Sequence, residues 1–360
     1  MKLTKKLLFA LACTLFSSIA FAHDFSTVTN DGKIFFFNVT NAKNLQVEVT
    51  YEGSITSPVA SQYIGELTIP RTVRHNGKVY TVTGIGSKAF YNATRLTGVT
   101  LPSEISTIGN FAFEKCVNLQ RVVFSGSIST LGEGIFFGCT SISHVSLGSD
   151  WVAVNLKMFM WSERLEEINI PAKIAKLQNL KSLKSLKRIN VDANNAYYTS
   201  IRGVLYNKDN SLLLGCPRAY SGALRVAEGC RSIYYGALID CADVNSVELP
   251  VSLQKLSYQE FSRMKELDYV VVNNPTPIAT ATIGNKSVFA LQVTSRAPFK
   301  LVVPRKSMSQ YKKSITSMGG EYTAIADISS NVTNLPKVAK KGELVEKDQI
   351  VNSVPTVKRR

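Results

Sequence analysis

Histidine is scarce in this chain, with three in 360 residues, at His23, His75 and His144. No CxxC pair occurs, so the cysteines do not outline a zinc site. There is no GxSxG elbow, no HExxH helix and no P-loop. Gly84-Ile85-Gly86 lacks the third glycine of a dinucleotide loop. Glu166 and Glu167 are adjacent, which puts them on opposite faces of a strand and bars them from acting as a pair. An N-terminal His23 would chelate copper only with a second histidine close by, and reads as an ordinary terminal residue. Hydrolytic, metal and cofactor chemistry are therefore left without residues. The expectation is a protein that is not an enzyme, with no catalytic residue, no metal and no cofactor.

Long apolar runs are missing after the opening. "MKLTKKLLFALACTLFSSIAFA" carries Lys2, Lys5 and Lys6, then an apolar run, then the small-x-small end Ala20-Phe21-Ala22. That is the layout of a secretory signal peptide, too short for a spanning helix. Cys13 has too little apolar sequence before it for a lipoprotein signal. Cleavage after Ala22 leaves 338 of the 360 residues, and loss of three lysines takes the net charge from +16 to +13. Such a surface favours acidic partners. Five cysteines then remain, an odd number that gives no disulfide framework. Cys216 and Cys230 flank a proline-containing loop, either as a disulfide or as two separate thiols.

What the chain does have is a period. Phe90, Phe113, Phe136 and Phe159 stand 23 residues apart. Leu96, Leu119, Ile142 and Leu165 keep the step, as do Val99, Val122, Val145 and Ile168. The register returns at Leu238, Cys241, Val244, Val247 and Leu249, and again from Phe261 to Val272. A partial unit precedes the array, where Leu67 and Ile69 match Val99 and Leu101. A fixed period of this length marks a solenoid whose units stack over a shared core.

Each unit has two pieces. L-x-x-V-x-L alternates near its end, as a short strand does. G-x-x-A-F-x-x-C spaces its apolar residues by three, which predicts a 3₁₀ or short helical turn. Cys116, Cys139 and Cys241 share a column with Ala93, Ser162 and Met264, a range that fits small buried packing residues.

The composite L-x-x-V-x-L-P-x-x-I-x-x-I-G-x-x-A-F-x-x-C resembles the BspA-like leucine-rich repeats of bacterial surface proteins. "NGKVYTVTGIGSKAF" resembles the entry into such arrays, and "DGKIFFFNVTNAKNLQVEVTY" their N-terminal cap. "SIRGVLYNKDNSLLLGCP" resembles their hairpin insertion, and "FKLVVPRKSMSQYKK" their closing segment. The resemblance spans about residues 31–328. It implies an α+β, β-rich solenoid of 23-residue units. It also implies a scaffold for binding, with adhesion to a host matrix protein, a glycan or another cell as its work. The alternative is a periplasmic or outer-membrane assembly component, and a third reading, with less behind it, is a secreted enzyme with an unrecognised site.

The expected organisation is a signal peptide over 1–22, a β-rich cap over 23–62 and a repeat array over 63–274. A hairpin insertion is expected at about 194–220, a C-terminal cap over 275–328 and a polar basic tail over 329–360. Export places the chain at the cell surface, free outside the cell, or in the periplasm. Its expected partner is a protein or glycan, acidic if the charge matters, with no nucleic acid and no membrane span once the leader is gone.

Two surfaces are candidates for that partner. Strand residues flanking the central apolar position point outward. These include Arg121, His144, Glu167, Asn169, Arg188, Asn190 and Tyr269, with His144 expected in a strand beside Val145. The other surface is "KIAKLQNLKSLKSLKR", where Leu180, Leu183 and Leu186 share a three-residue step. There Lys181, Lys184 and Lys187 would form an exposed basic ridge.

Overall fold

The computed structural model describes residues 22–29, 31–54, 57–256, 260–280, 300–317 and 325–328. The expected leader, apart from Ala22, and the expected tail over 329–360 lie outside the described residues. The fold is a β-solenoid with 23-residue spacing, as the period predicts. It divides into two compact units. The first runs to Trp151 and includes Lys157–Glu163; the second takes Val152–Leu156 and the chain from Arg164 onward.

In the first unit, strands Phe25–Val28, Ile34–Asn41 and Gln46–Thr50 form an antiparallel meander. Gln46–Thr50 then pairs in parallel with Lys78–Ile85, which leads into Thr107–Ile108 and Thr130–Leu131. Thr72–His75 folds back on Lys78–Ile85 through Asn76-Gly77, both at positive φ (49° and 73°). An Asn-Gly pair is the expected chemistry for a two-residue hairpin turn. A second parallel sheet carries the repeat strands Gly65–Thr68, Leu96–Leu101 and Arg121–Phe124. Residues 23 apart face each other on neighbouring strands, as Gly98 and Arg121 do.

The phenylalanine column fills the space inside this unit. Phe90, Phe113, Phe136 and Phe159 stack in order, with ring centroids 4.7, 5.3 and 5.2 Å apart and planes within 16° of parallel. All four are buried. Tyr63 caps the stack against Phe90, and its hydroxyl donates to the Thr50 carbonyl at 2.7 Å. The next column is also hydrogen-bonded. Cys116 Sγ donates to the Phe90 carbonyl and Cys139 Sγ to that of Phe113, each at 3.0 Å. Ser162 Oγ does the same to Phe136 at 3.4 Å.

The G-x-x-A-F piece departs from the expected helical arc. Leu156–Phe159 is a 3₁₀ helix, but in the units around Phe90 and Phe113 the piece is a run of single turns. The reason is a division of donors. Ala89, Tyr91 and Ala93 donate three residues back, while Lys88, Phe90 and Asn92 donate to Asn110, Ala112 and Glu114 of the next coil. Residues at positive φ, among them Lys88, Asn92 and Lys115, keep the turns from joining into a helix.

In the second unit, Ala153–Asn155 pairs with Lys176–Gln178 and Glu167–Ile170 with Arg188–Val191, both in parallel. Tyr198–Ile201, Val204–Asn207 and Leu212–Gly215 form an antiparallel meander. Leu212–Gly215 leads in parallel to Ser232–Ile233, Lys255–Leu256 and Ala279–Thr280. Opposite runs a five-stranded parallel sheet: Gly222–Arg225, Val244–Leu249, Tyr269–Val272, Lys300–Pro304 and Ile325–Ile328. Leu238, Cys241, Val247, Leu249 and Val270 lie in the core of this unit with no exposure. Helix Met308–Ser317 buries Tyr311, whose hydroxyl donates to the carbonyls of Asn274 and Thr276.

Cys116, Cys139, Cys216, Cys230 and Cys241 are all buried free thiols. Cys216 lies against Cys241 rather than being bonded to Cys230. Burial pushes the thiols of Cys139, Cys216 and Cys230 upward.

Candidate binding surface

In the first unit the outward row is built on Gly98. Its Cα partners are Glu66 on one side and Arg121 on the other. With no side chain between them, the outer two meet: Arg121 Nη2 lies 3.2 Å from Glu66 Oε2. Arg121 is exposed as expected, yet its charge is already opposed. Glu66 was legible from the partial unit, since Leu67 matches Val99 and therefore Glu66 matches Gly98.

His144 is exposed but does not lie in a regular strand, against expectation. Its segment holds only an isolated bridge at Ser146. Ser141, Ser143, Ser146 and Gly148 weaken strand tendency there, and Ser143 Oγ shares a hydrogen bond with His144 Nδ1 at 3.0 Å.

The second unit carries the fuller row. Glu167 faces Arg188 and Asn169 faces Asn190 in one parallel register. Asn190 Nδ2 donates to Asn169 Oδ1 at 2.9 Å and also to Glu167 Oε1. Arg188 is exposed, and its stem packs on Gly203, where an added Cβ would stand 2.9 Å from Cγ. Tyr269 is half-buried between Ser246 and Lys300, and burial raises its hydroxyl pKa, with Asp268 adding to the effect. Val271, two residues on, is 3% exposed, so this end of the row offers less surface than alternation alone implies.

Of the three expected ridge lysines, Lys184 and Lys187 are exposed and Lys181 is half-buried. Leu180–Ser182 makes one 3₁₀ turn and Leu183 then turns extended; Leu183 and Leu186 are buried, while Leu180 is only partly so. Lys181 is half-buried, and burial lowers its pKa against the opposing pull of Cys241, Glu260 and Asp240. Its Nζ lies 3.1 Å from where a Cβ on Gly236 would stand. Lys187 is exposed and pairs with Glu166 at 2.8 Å. Lys184 is exposed.

Sequence reasoning missed the ionic row beside Lys181. Asp240 lies 3.2 Å from Arg218 and 2.8 Å from Arg263. The signal was the period: Asp240 and Arg263 stand 23 residues apart, both at positive φ. Among the described residues, no group of three or more His, Cys, Asp or Glu side chains is placed to hold a metal ion. Nor is any helix among them long and apolar enough to cross a membrane.

The model of the BspA type leucine rich repeat region matches residues 61–187 and 222–293 in six copies. Among solved structures, the chain is similar to a leucine rich cell surface protein of Faecalibacterium prausnitzii (18% identity, covering 85% of this chain and 95% of that one, TM-score 0.45). The pneumococcal vaccine antigen PcpA matches at 16% identity, 85% and 99% coverage and TM-score 0.45. A leucine-rich repeat protein of Eubacterium ventriosum matches at 16%, 92% and 96% coverage, and 0.45. No curated protein matches the chain. The repeat model covers more than half of the residues, in the register that the phenylalanine stack and the parallel strands display, so this chain belongs to the BspA type leucine-rich repeat family.

Proposed function

We propose that the protein is exported and recognises a partner protein without covalent chemistry, as an adhesin at the cell surface. The observation that carries this reading is the row Glu167–Arg188 and Asn169–Asn190. Charged and amide groups are held there in one parallel register on strands whose inner residues Ile168 and Ile189 are fully buried. A rigid support lowers the ordering cost of binding. Leucine-rich repeats are binding scaffolds in general, and the family's members at bacterial surfaces support the location.

The test has two arms. Protease shaving of intact cells should remove the protein, and retention would sink the surface assignment. The intact chain should bind one or more immobilised matrix proteins, with affinity reduced about tenfold by Arg188→Ala, the range of one good charged contact. Binding that ignores Arg188, Asn190 and Glu167 substitutions would overturn the role of the row.

A further inference from the structure

A cleft of about 400 Å3 lies in the second unit, lined by residues of the hairpin and of the repeat strands beside it. Its lining includes Ile201, Arg202, Arg225, Val226, Glu248 and Asn273. The size falls within the range of about 300–1,000 Å3 usual for small-ligand sites. We infer that this cleft binds one acidic sugar residue of a glycan, with the Arg202 guanidinium taking the sugar's carboxylate. The inference rests on the recognition reading only in that the protein binds its ligand without transforming it. Arg202 is not part of the Glu167–Arg188 row, so the two can fail separately.

The turn that carries Arg202 holds strained backbone. Ile201 and Val204 are paired Cα partners, which leaves Arg202-Gly203 as a two-residue turn. Both turn residues have positive φ, 55° and 83°. Such a turn favours Asn, Asp or Gly at its first position. An arginine there occupies a left-handed conformation that an asparagine would adopt more readily. A strained residue at the edge of a cleft points to a role for its side chain.

Charge points the same way. Among the described residues Arg202 forms no ion pair. Glu248 is committed elsewhere: Oε2 lies 3.3 Å from Arg225 Nε, and Oε1 accepts from Asn273 Nδ2 at 3.1 Å. The other acid on the lining, Glu228, is exposed. Arg188 and Arg202 both lie near enough to the half-buried Tyr220 to act on its hydroxyl. A planar guanidinium grips a carboxylate through two parallel hydrogen bonds.

The lining suits a sugar better than an acidic peptide. Glu228 would repel the several carboxylates of an acidic peptide, while its carboxylate would accept hydrogen bonds from sugar hydroxyls. Ile201, Val226 and Pro250 give an apolar wall for the C–H face of a ring.

The test uses the intact chain and four probes: methyl glucuronide, N-acetylneuraminic acid methyl glycoside, methyl glucoside and a short Asp/Glu peptide. Calorimetry and saturation-transfer NMR should show binding of one or both acidic glycosides, at least tenfold tighter than methyl glucoside. Arg202→Asn suits the turn while removing the charge. It should abolish acidic-glycoside binding and leave the thermal midpoint unchanged or raised. Equal binding of acidic and neutral glycosides, no binding of any glycoside, full binding by Arg202→Asn, or preference for the peptide would each overturn the assignment.

Discussion

Arg121 reaches over Gly98 to Glu66, closing a 3.2 Å ion pair between two strands that do not pair with each other. Both side chains are more than half exposed. Water and salt screen such a pair, and its worth is about 0–1 kcal/mol. Glu66→Gln should therefore shift urea unfolding by less than about 1 kcal/mol. A larger loss would show that the row over Gly98 holds the sheet together.

Phe113 should behave differently. It has no exposure and touches a ring on either side. Phe113→Ala should cost about 3–5 kcal/mol, since a cavity between two stacked rings can collapse only by moving whole coils. Equilibrium denaturation measures this, and an unchanged midpoint would remove the stack from the core.

The thiols should be silent in the native protein. All five described cysteines are buried, and burial keeps three of them protonated beyond the usual thiol range. The thiolate is the reactive form. Iodoacetamide near pH 8 should label Cys116, Cys139, Cys216, Cys230 and Cys241 only after unfolding; native labelling of any of them, read by mass spectrometry, would contradict the packed column.

Stability should decline on the alkaline side. Cys139, Cys216 and Cys230 are raised above 9.0, and Tyr63, Tyr206 and Tyr311 above 10.0, in each case chiefly by burial. Their neutral forms favour the folded state. That contribution is complete below the unfolded values, begins to fall above pH 9.0 and is lost as the folded groups titrate. Lys181, lowered by burial, works in the opposite sense as a single group. Denaturant midpoints at several pH values from neutral upward measure the slope; a flat profile would contradict it.

Glu48 gives the acid-side counterpart. Its carboxyl is raised above 4.5 by burial, partly offset by Asn38. Its charged form therefore weakens the fold at neutral pH. Glu48→Gln should raise the thermal midpoint at neutral pH and make no difference well below pH 4.5, where the acid is already neutral.

Most of the architecture was legible because stacking is a repeat of one local event. Phe90, Phe113, Phe136 and Phe159 need only the same spacing to meet, and spacing is visible in a sequence. The site was less legible, because it depends on where the repeat is broken. Lys181, in the single 3₁₀ turn at Leu180–Ser182, is half-buried near Gly236. His144 left its strand where serines replaced β-branched residues. Arg202 reached its cleft through a turn whose two-residue length depends on the pairing of Ile201 with Val204. Such breaks depend on side-chain competition and register, which a period does not encode.

The backbone bonds between coils follow one repeated pattern: on the strand side Gly109, Gln120 and Gly132 donate back to Ile85, Thr97 and Ile108, while the turns donate the other way. Lys88, Phe111 and Phe136 each donate forward, to Asn110, Glu133 and Met158. Every coil thus presents to its neighbours the same pattern of donors and acceptors as the coil before it. The chain can therefore change length by whole coils without meeting a mismatched face. Loss of residues 109–131 would join Ile108 to Gly132 with every column and every donor still in register, whereas loss of one residue fewer would rotate each column out of place. Growth and shrinkage of this protein are quantised, and the quantum is the coil.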